Sequence, residues 1–114
     1  MVLHENSKIV KIITEMMAFL LDRECKEFTT NVKVNAEETV VVFTMPASSK
    51  KACEYLEKNI EPSRLVEAEE YGWELFGLCD DSNELEQVAL LIDDISVKKV
   101  NWDNYEVTFI RKHR

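Results

Sequence analysis

The side chains with the richest chemical repertoire in this chain are two adjacent carboxylate pairs, Asp80-Asp81 and Asp93-Asp94. Paired carboxylates can divide general-acid and general-base work when both reach one substrate atom. Neighbours on a helix, however, point about 100° apart and rarely converge. Helix capping by the first pair and solvation of the second is therefore the favoured reading. Asp80-x-Ser82-x-Glu84 has the opening of a calcium loop, but no glycine makes the central turn and Leu91 stands at the twelfth position. Ser48-Ser49 beside Lys50-Lys51 has the composition of a serine–lysine nucleophile or a phosphate nest. A cap followed by an exposed helix face explains the same residues more simply.

Cys25, Cys53 and Cys79 are widely spaced, and His4 and His113 sit near opposite ends. An odd, unclustered set of cysteines argues against a disulfide framework and for three small buried hydrophobes. The set also lacks the spacing of a zinc site. No Walker, Rossmann or nucleophile-elbow motif is present. Trp73, Phe76 and Trp102 could line a ligand pocket, although filling the core is the simpler use. Trp102 falls in an expected hairpin turn, where exposure and an interface role are anticipated. The expected site list is accordingly empty: no catalytic residue, no metal ligand and no cofactor.

Composition sets further bounds. The 114 residues carry a net charge of −8, with 46% hydrophobic and 32% charged residues. That length predicts a single domain over 1–114. Eleven acids and one base fall within 61–94, whereas 95–114 hold five bases and two acids. The acidic block would repel a phosphate backbone, so nucleic acid is not an expected partner. No apolar run reaches the roughly 20 residues that span a bilayer. The N-terminus lacks a secretory pattern, which predicts a cytoplasmic protein without membrane association.

The elements that must position these residues are organised around Thr39-Val40-Val41-Val42-Phe43-Thr44-Met45, stopped by Pro46. Its β-branched and aromatic residues predict a central strand with cover on at least one side. A long helix is expected over 5–24, from the recurrence of Ile9, Ile13, Met16, Met17 and Leu20. Val10, Ile12, Phe19 and Leu21 widen its apolar arc. Asn6 or Ser7 is the expected cap, and Lys8, Lys11, Glu15, Asp22 and Arg23 mark its polar side. That arc exceeds what one sheet face needs, so one edge of the helix is expected to meet a second copy of the protein.

Residues 28–34 alternate as a half-exposed strand, giving a hairpin with 39–45 across Asn35-Ala36-Glu37-Glu38. Helices are expected over 49–60, about 62–71 and about 82–94. The last carries Leu85, Val88, Ala89, Ile92 and Ile95, with Asp81 and Glu84 at capping-box spacing. The segment 73–78 reads as helix or loop. A strand around Val97, a turn at 102–104 and a strand over 105–112 form a second hairpin. The predicted fold class is α+β, a two-layer sandwich with helices on one face of a mostly antiparallel sheet. Its order is helix, hairpin, helices, hairpin.

That order, with Leu85 to Ile95, Asp93-Asp94 and the closing run Tyr105 to Lys112, resembles the histidine-kinase-like ATPase (GHKL) family. This group includes histidine kinases, gyrase and anti-sigma-factor kinases. If Glu15 matches the family's base, Phe19 occupies the place of its magnesium-binding Asn. Pro46-Ala47-Ser48-Ser49-Lys50 stands where the family's Asp-x-Gly-x-Gly turn belongs. Gly72-Trp73-Glu74-Leu75-Phe76-Gly77 is bulky and acidic where a phosphate turn needs small residues. The resemblance thus implies a scaffold kept without its nucleotide and transfers no site residue. The expected function is a non-enzymatic regulatory or protein-interaction domain, anti-sigma-factor-like, working as a homodimer or with a protein partner. The alternative is a small-molecule-binding module or a small carboxylate-dependent hydrolase.

Overall fold

The computed structural model describes residues 4–64, Glu69 and 84–113. Its elements are α1 (Glu5–Asp22), β1 (Thr29–Val34), β2 (Glu38–Pro46), a short 3-10 turn (Ala47–Ser49), α2 (Lys50–Asn59), α3 (Glu84–Ala89), β3 (Asp94–Lys99) and β4 (Asn104–Lys112). The four strands form one antiparallel sheet in the order β1-β2-β4-β3. The fold is α+β, with the helices layered on one face of the sheet. None of the described helices is long and apolar enough to cross a membrane.

The strand expected at the centre is there, since β2 lies between β1 and β4. Its alternate residues Val41, Phe43 and Met45 are buried, while Val40, Val42 and Thr44 are half-buried. Pairing sets Val41 opposite Phe109 and Phe43 opposite Val107, so both strands send one apolar row into the helical layer. The Phe43 and Phe109 rings meet edge to face at 6.0 Å. From the helices, Ile12, Met16, Phe19, Leu20, Cys53, Leu56 and Val88 close the core.

Several expectations need correction. β1 is exposed at every position rather than half-buried. Thr30, Val32 and Val34 pair with Phe43, Val41 and Thr39 and share their face, but β1 is an edge strand beyond the reach of the helices. The helix expected over 82–94 is short, ending at Ala89. Leu91 and Ile92 are buried in the turn that follows, and Ile95 belongs to β3. Asp93 explains the early stop: its amide donates to the carbonyl of Ile110, so the chain is already joining the sheet.

Neither Asn6 nor Ser7 caps α1; His4 takes that position in the left-handed region, at φ 63°, without a side-chain cap. Of the helical piece expected at 62–71, residues 62–64 lack regular structure, Glu69 is helical, and the others lie outside the described residues. The expected helix start at 80–83, the segment 73–78, Gly72 to Gly77 and Cys79 lie outside the described residues.

Candidate functional site

β4 carries its inward row Tyr105, Val107, Phe109 one step further, to Arg111. Two-residue periodicity therefore aims a guanidinium into the protein, and only 1% of Arg111 is exposed. It arrives beside the first turn of α1, where Glu5 benefits from the positive end of the helix dipole. Arg111 Nε donates to Glu5 Oε2 at 2.7 Å and Nη2 to Glu5 Oε1 at 3.0 Å, a bidentate pairing. Its Nη1 donates to the carbonyl of Leu91 at 2.8 Å, and its Nη2 also meets Glu69.

Glu69 is the hub of this arrangement. Its carboxylate takes Arg64 Nε at 2.8 Å and Lys8 Nζ at 2.9 Å in addition to Arg111. Arg64 Nη1 reaches on to Asp93 Oδ2 and to the carbonyl of Lys112, both at 2.7 Å. Among the described residues, three cations and three carboxylates thus meet where α1, β4 and the segments after α2 and α3 converge. Their formal charges cancel, the condition under which buried ions are tolerable. Burial would raise the Glu69 pKa, but hydrogen bonds from Arg111 and Lys8, with the charges of Arg111 and Arg64, lower it to about 2. Burial likewise disfavours the Arg111 cation, yet hydrogen bonds and charge from Glu5 and Glu69 raise its pKa overall. A carboxylate held this strongly ionised is a poor proton donor or acceptor at neutral pH, so the cluster joins elements rather than moving protons.

Lys8, expected on the polar side of α1, is fully buried in this cluster. The carboxylate pair Asp93-Asp94 diverges. Asp93 faces Arg64 and accepts the Lys112 amide at 2.7 Å, whereas Asp94 is exposed and accepts from the Ile95 amide. The expected solvation thus holds for Asp94 and fails for Asp93. Asp80 and Asp81 lie outside the described residues. His113 comes to the N-terminal end of α1, with Nε2 2.7 Å from Thr39 Oγ1 and 3.8 Å from Glu5 Oε2.

Two hints in the sequence pointed at the cluster and were not combined. Glu5 and Lys8 fall on the helix face of Ile12 and Met16, at three- and four-residue steps. Arg111 extends an inward strand row, yet it reads as one more base of a charged tail.

A second feature is a cleft of about 520 Å³ lined by residues 23–27 and by Pro46, Ser48, Ser49, Lys51 and Ala52. Ser49 occupies the N-cap position of α2 but makes no side-chain cap. Its hydroxyl lies 3.1 Å from Cys25 Sγ instead, so the expected capping role is spent on a thiol contact. Arg23 lies over the Tyr55 ring at 4.1 Å and beside the Phe19 ring at 5.1 Å. Phe19 is part of the core, and Glu15 pairs with Lys11 at 3.1 Å.

Cys25 and Cys53 are buried and free. Burial, with the neighbouring Cys25 and Glu54, pushes the Cys53 thiol up to about 11. Only the thiolate attacks an alkylating reagent. In the folded protein Cys53 should stay unmodified by iodoacetamide at pH 8 while urea exposes it, as peptide mass mapping would show. Rapid modification without denaturant would contradict the burial.

The third feature is the outer face of α1. Val10 is 59% exposed, Met17 40% and Leu21 58%, on the side opposite the core residues Ile12, Met16 and Phe19. At about 100° per residue, Val10, Ile13, Thr14, Met17 and Leu21 fall in one stripe without a charged member. Elsewhere, Trp102 is 87% exposed at the tip of the β3–β4 hairpin, with Lys99 Nζ 5.3 Å from its ring. Comparison of the chain with protein-family models, curated proteins and solved structures finds no match to any of them.

Proposed function

We propose that this chain is a non-enzymatic interaction or regulatory domain that docks another protein chain on the outer face of α1. The observation that carries the reading is the exposure of Val10, Met17 and Leu21 in one uncharged stripe. Isolated exposed apolar residues are ordinary, but several in register on one helix face leave an unmet burial potential. Full burial of such a side chain from water contributes about 1.5–3 kcal/mol, and covering the 40–59% of each that is still exposed gains roughly half of that.

A histidine-kinase-like ATPase scaffold without nucleotide is proposed as its architecture. The order helix, hairpin, helices, hairpin supports this, as does Phe19 filling core where the family's magnesium ligand belongs. The chain leaves β2 at Pro46 and runs Ala47-Ser48-Ser49 into α2, which offers no glycine turn for an adenine nucleotide.

A small-molecule-binding module is the second reading, favoured by the cleft beside Cys25 and Ser49 with Arg23, Lys26 and Lys51 among its lining residues. Isothermal titration with ATP and Mg²⁺ separates the two. The interaction reading expects no heat beyond dilution at millimolar nucleotide. Binding at micromolar affinity would remove the nucleotide-free scaffold and leave the second reading in its place.

A further inference from the structure

We infer that a second copy of this chain packs face to face on the open side of the sheet, about a two-fold axis parallel to the strands and midway between β2 and β4. This interface is separate from the outer face of α1. Val41, Phe43, Val107 and Phe109 point into the helical layer, so their neighbours along the strands point the other way. Strand register sets those outward residues in rows. Asn31, Val42, Thr108 and Ser96 make one row across β1, β2, β4 and β3, and Lys33, Val40, Ile110 and Asp94 make the next. Glu38 and Lys112 follow on the two central strands. A sheet face that meets only water is usually polar throughout. Here Val40, Val42, Thr108 and Ile110 hold the centre and are half-buried, whereas Lys33, Asp94 and Ser96 on the edge strands are exposed.

Two-fold symmetry requires the face to complement itself. An axis along the strands exchanges left and right within each row and keeps the rows in step. Val40 then faces Ile110 of the second copy, and Val42 faces its Thr108. Lys33 faces Asp94 of the second copy, Glu38 faces its Lys112, and the symmetry makes each pair twice. Among the described residues, none of these four side chains has an ion-pair partner in its own chain. In the row at the far end, Glu106 faces Thr44 and Lys98 faces Thr29, so like charges are nowhere opposed. An axis across the strands does less. It pairs at most Lys98 with Asp94, and it then sets Glu106 against Ile110 and leaves Lys33, Glu38 and Lys112 unmatched. Stacked sheets lie about 10 Å apart and rotate by about 30°, which shifts facing corners by roughly 5 Å, within the reach of a lysine side chain. Four strands at about 4.8 Å and eight residues at about 3.3 Å give a footprint of roughly 500 Å² per copy. The total of about 1,000 Å² belongs to weak, reversible association.

Sedimentation equilibrium with charge-swapped variants tests the inference. At about 300 µM, suited to an interface of that size, the chain should approach twice its 13.3 kDa mass. Lys33→Glu opposes like charges at two corners of the pair and should weaken association at least about fivefold. Adding Asp94→Lys to the same chain reverses both partners and should recover most of that loss. Lys58→Glu makes the same change of net charge on the exposed side of α2 and should leave association within about twofold of wild type. All three sites are exposed, so the far-ultraviolet spectrum should not change.

A monomer at that concentration would overturn the second copy as occupant. A dimer indifferent to Lys33→Glu, or a double variant no better than the single one, would overturn the proposed face and its register. Equal weakening by Lys58→Glu would reduce the effect to net charge and overturn it too. A dimer dissociated by Leu21→Glu but untouched by Lys33→Glu would move the second copy to the outer face of α1, ending the sheet pairing while upholding the docking reading.

Discussion

Replacing Arg111 with Met should cost about 3–5 kcal/mol of folding free energy, the range for removing one partner of a buried ion pair. The side chain lost is 1% exposed and holds Glu5 by two hydrogen bonds, Glu69 by two more and the Leu91 carbonyl by a fifth. Met fills much of the volume, so the cost is chiefly electrostatic. Glu5 keeps a place in the first turn of α1, but Glu69 must divide its charge between Lys8 and Arg64 alone. In urea the midpoint should fall by roughly 2 M, taking a slope near 2 kcal/mol per molar. A loss under about 1 kcal/mol would mean that water or a rearranged partner already serves these carboxylates. Combining Arg111→Met with Glu5→Gln should cost less than the sum of the two, because the second change removes a charge the first has orphaned.

The same cluster should give the protein a distinct acid limit. The Glu69 pKa is lowered from an ordinary 4.5 to about 2 by its cationic neighbours. Because the folded state holds this proton more weakly than the unfolded chain, the unfolded state binds protons first as the pH falls. The stabilisation is therefore complete above about pH 5 and shrinks below pH 4.5. It is lost by about pH 2, and its full size is roughly 3 kcal/mol. Urea unfolding of wild type and Glu69→Gln at pH 7, 5 and 3 would check this. The two should differ most at pH 7 and pH 5 and clearly less at pH 3. A gap that stays constant with pH would show that the glutamine is harmful for its shape rather than its missing charge.

Both experiments bear on how the layers are joined. The apolar core binds the helices to β2 and β4 through Val41, Phe43, Val107 and Phe109, and it ends before the N-terminal end of α1. Beyond that end the ion cluster takes over the joining, linking Glu5 and Lys8 of α1 to Arg111 of β4 and to Asp93 before β3. Uncompensated removal of any one member exposes the others to the cost of burial, so the cluster is expected to fail as a unit. The outer face of α1, by contrast, can be altered without touching either set of contacts.

Local pattern was enough to determine the α+β class, the two hairpins, the central place of β2 and the long first helix. Each depends on side-chain periodicity between near neighbours, such as the β-branched run from Thr39 to Met45 or the recurrence of Ile9, Met16 and Leu20. The same periodicity gave α1 more apolar surface than the sheet could cover, and Val10, Met17 and Leu21 are the excess. Tertiary structure alone decided where charge goes inside. Arg111 lies 106 residues from Glu5 and 42 from Glu69, and no local rule says that such residues will meet. Lys8 reads as a solvated base until the chain closes over it, because a lysine is buried only where an opposite charge awaits it. The exposure of β1 was likewise undecidable from its alternation, which fixes the faces of a strand but not whether a helix extends far enough to cover one.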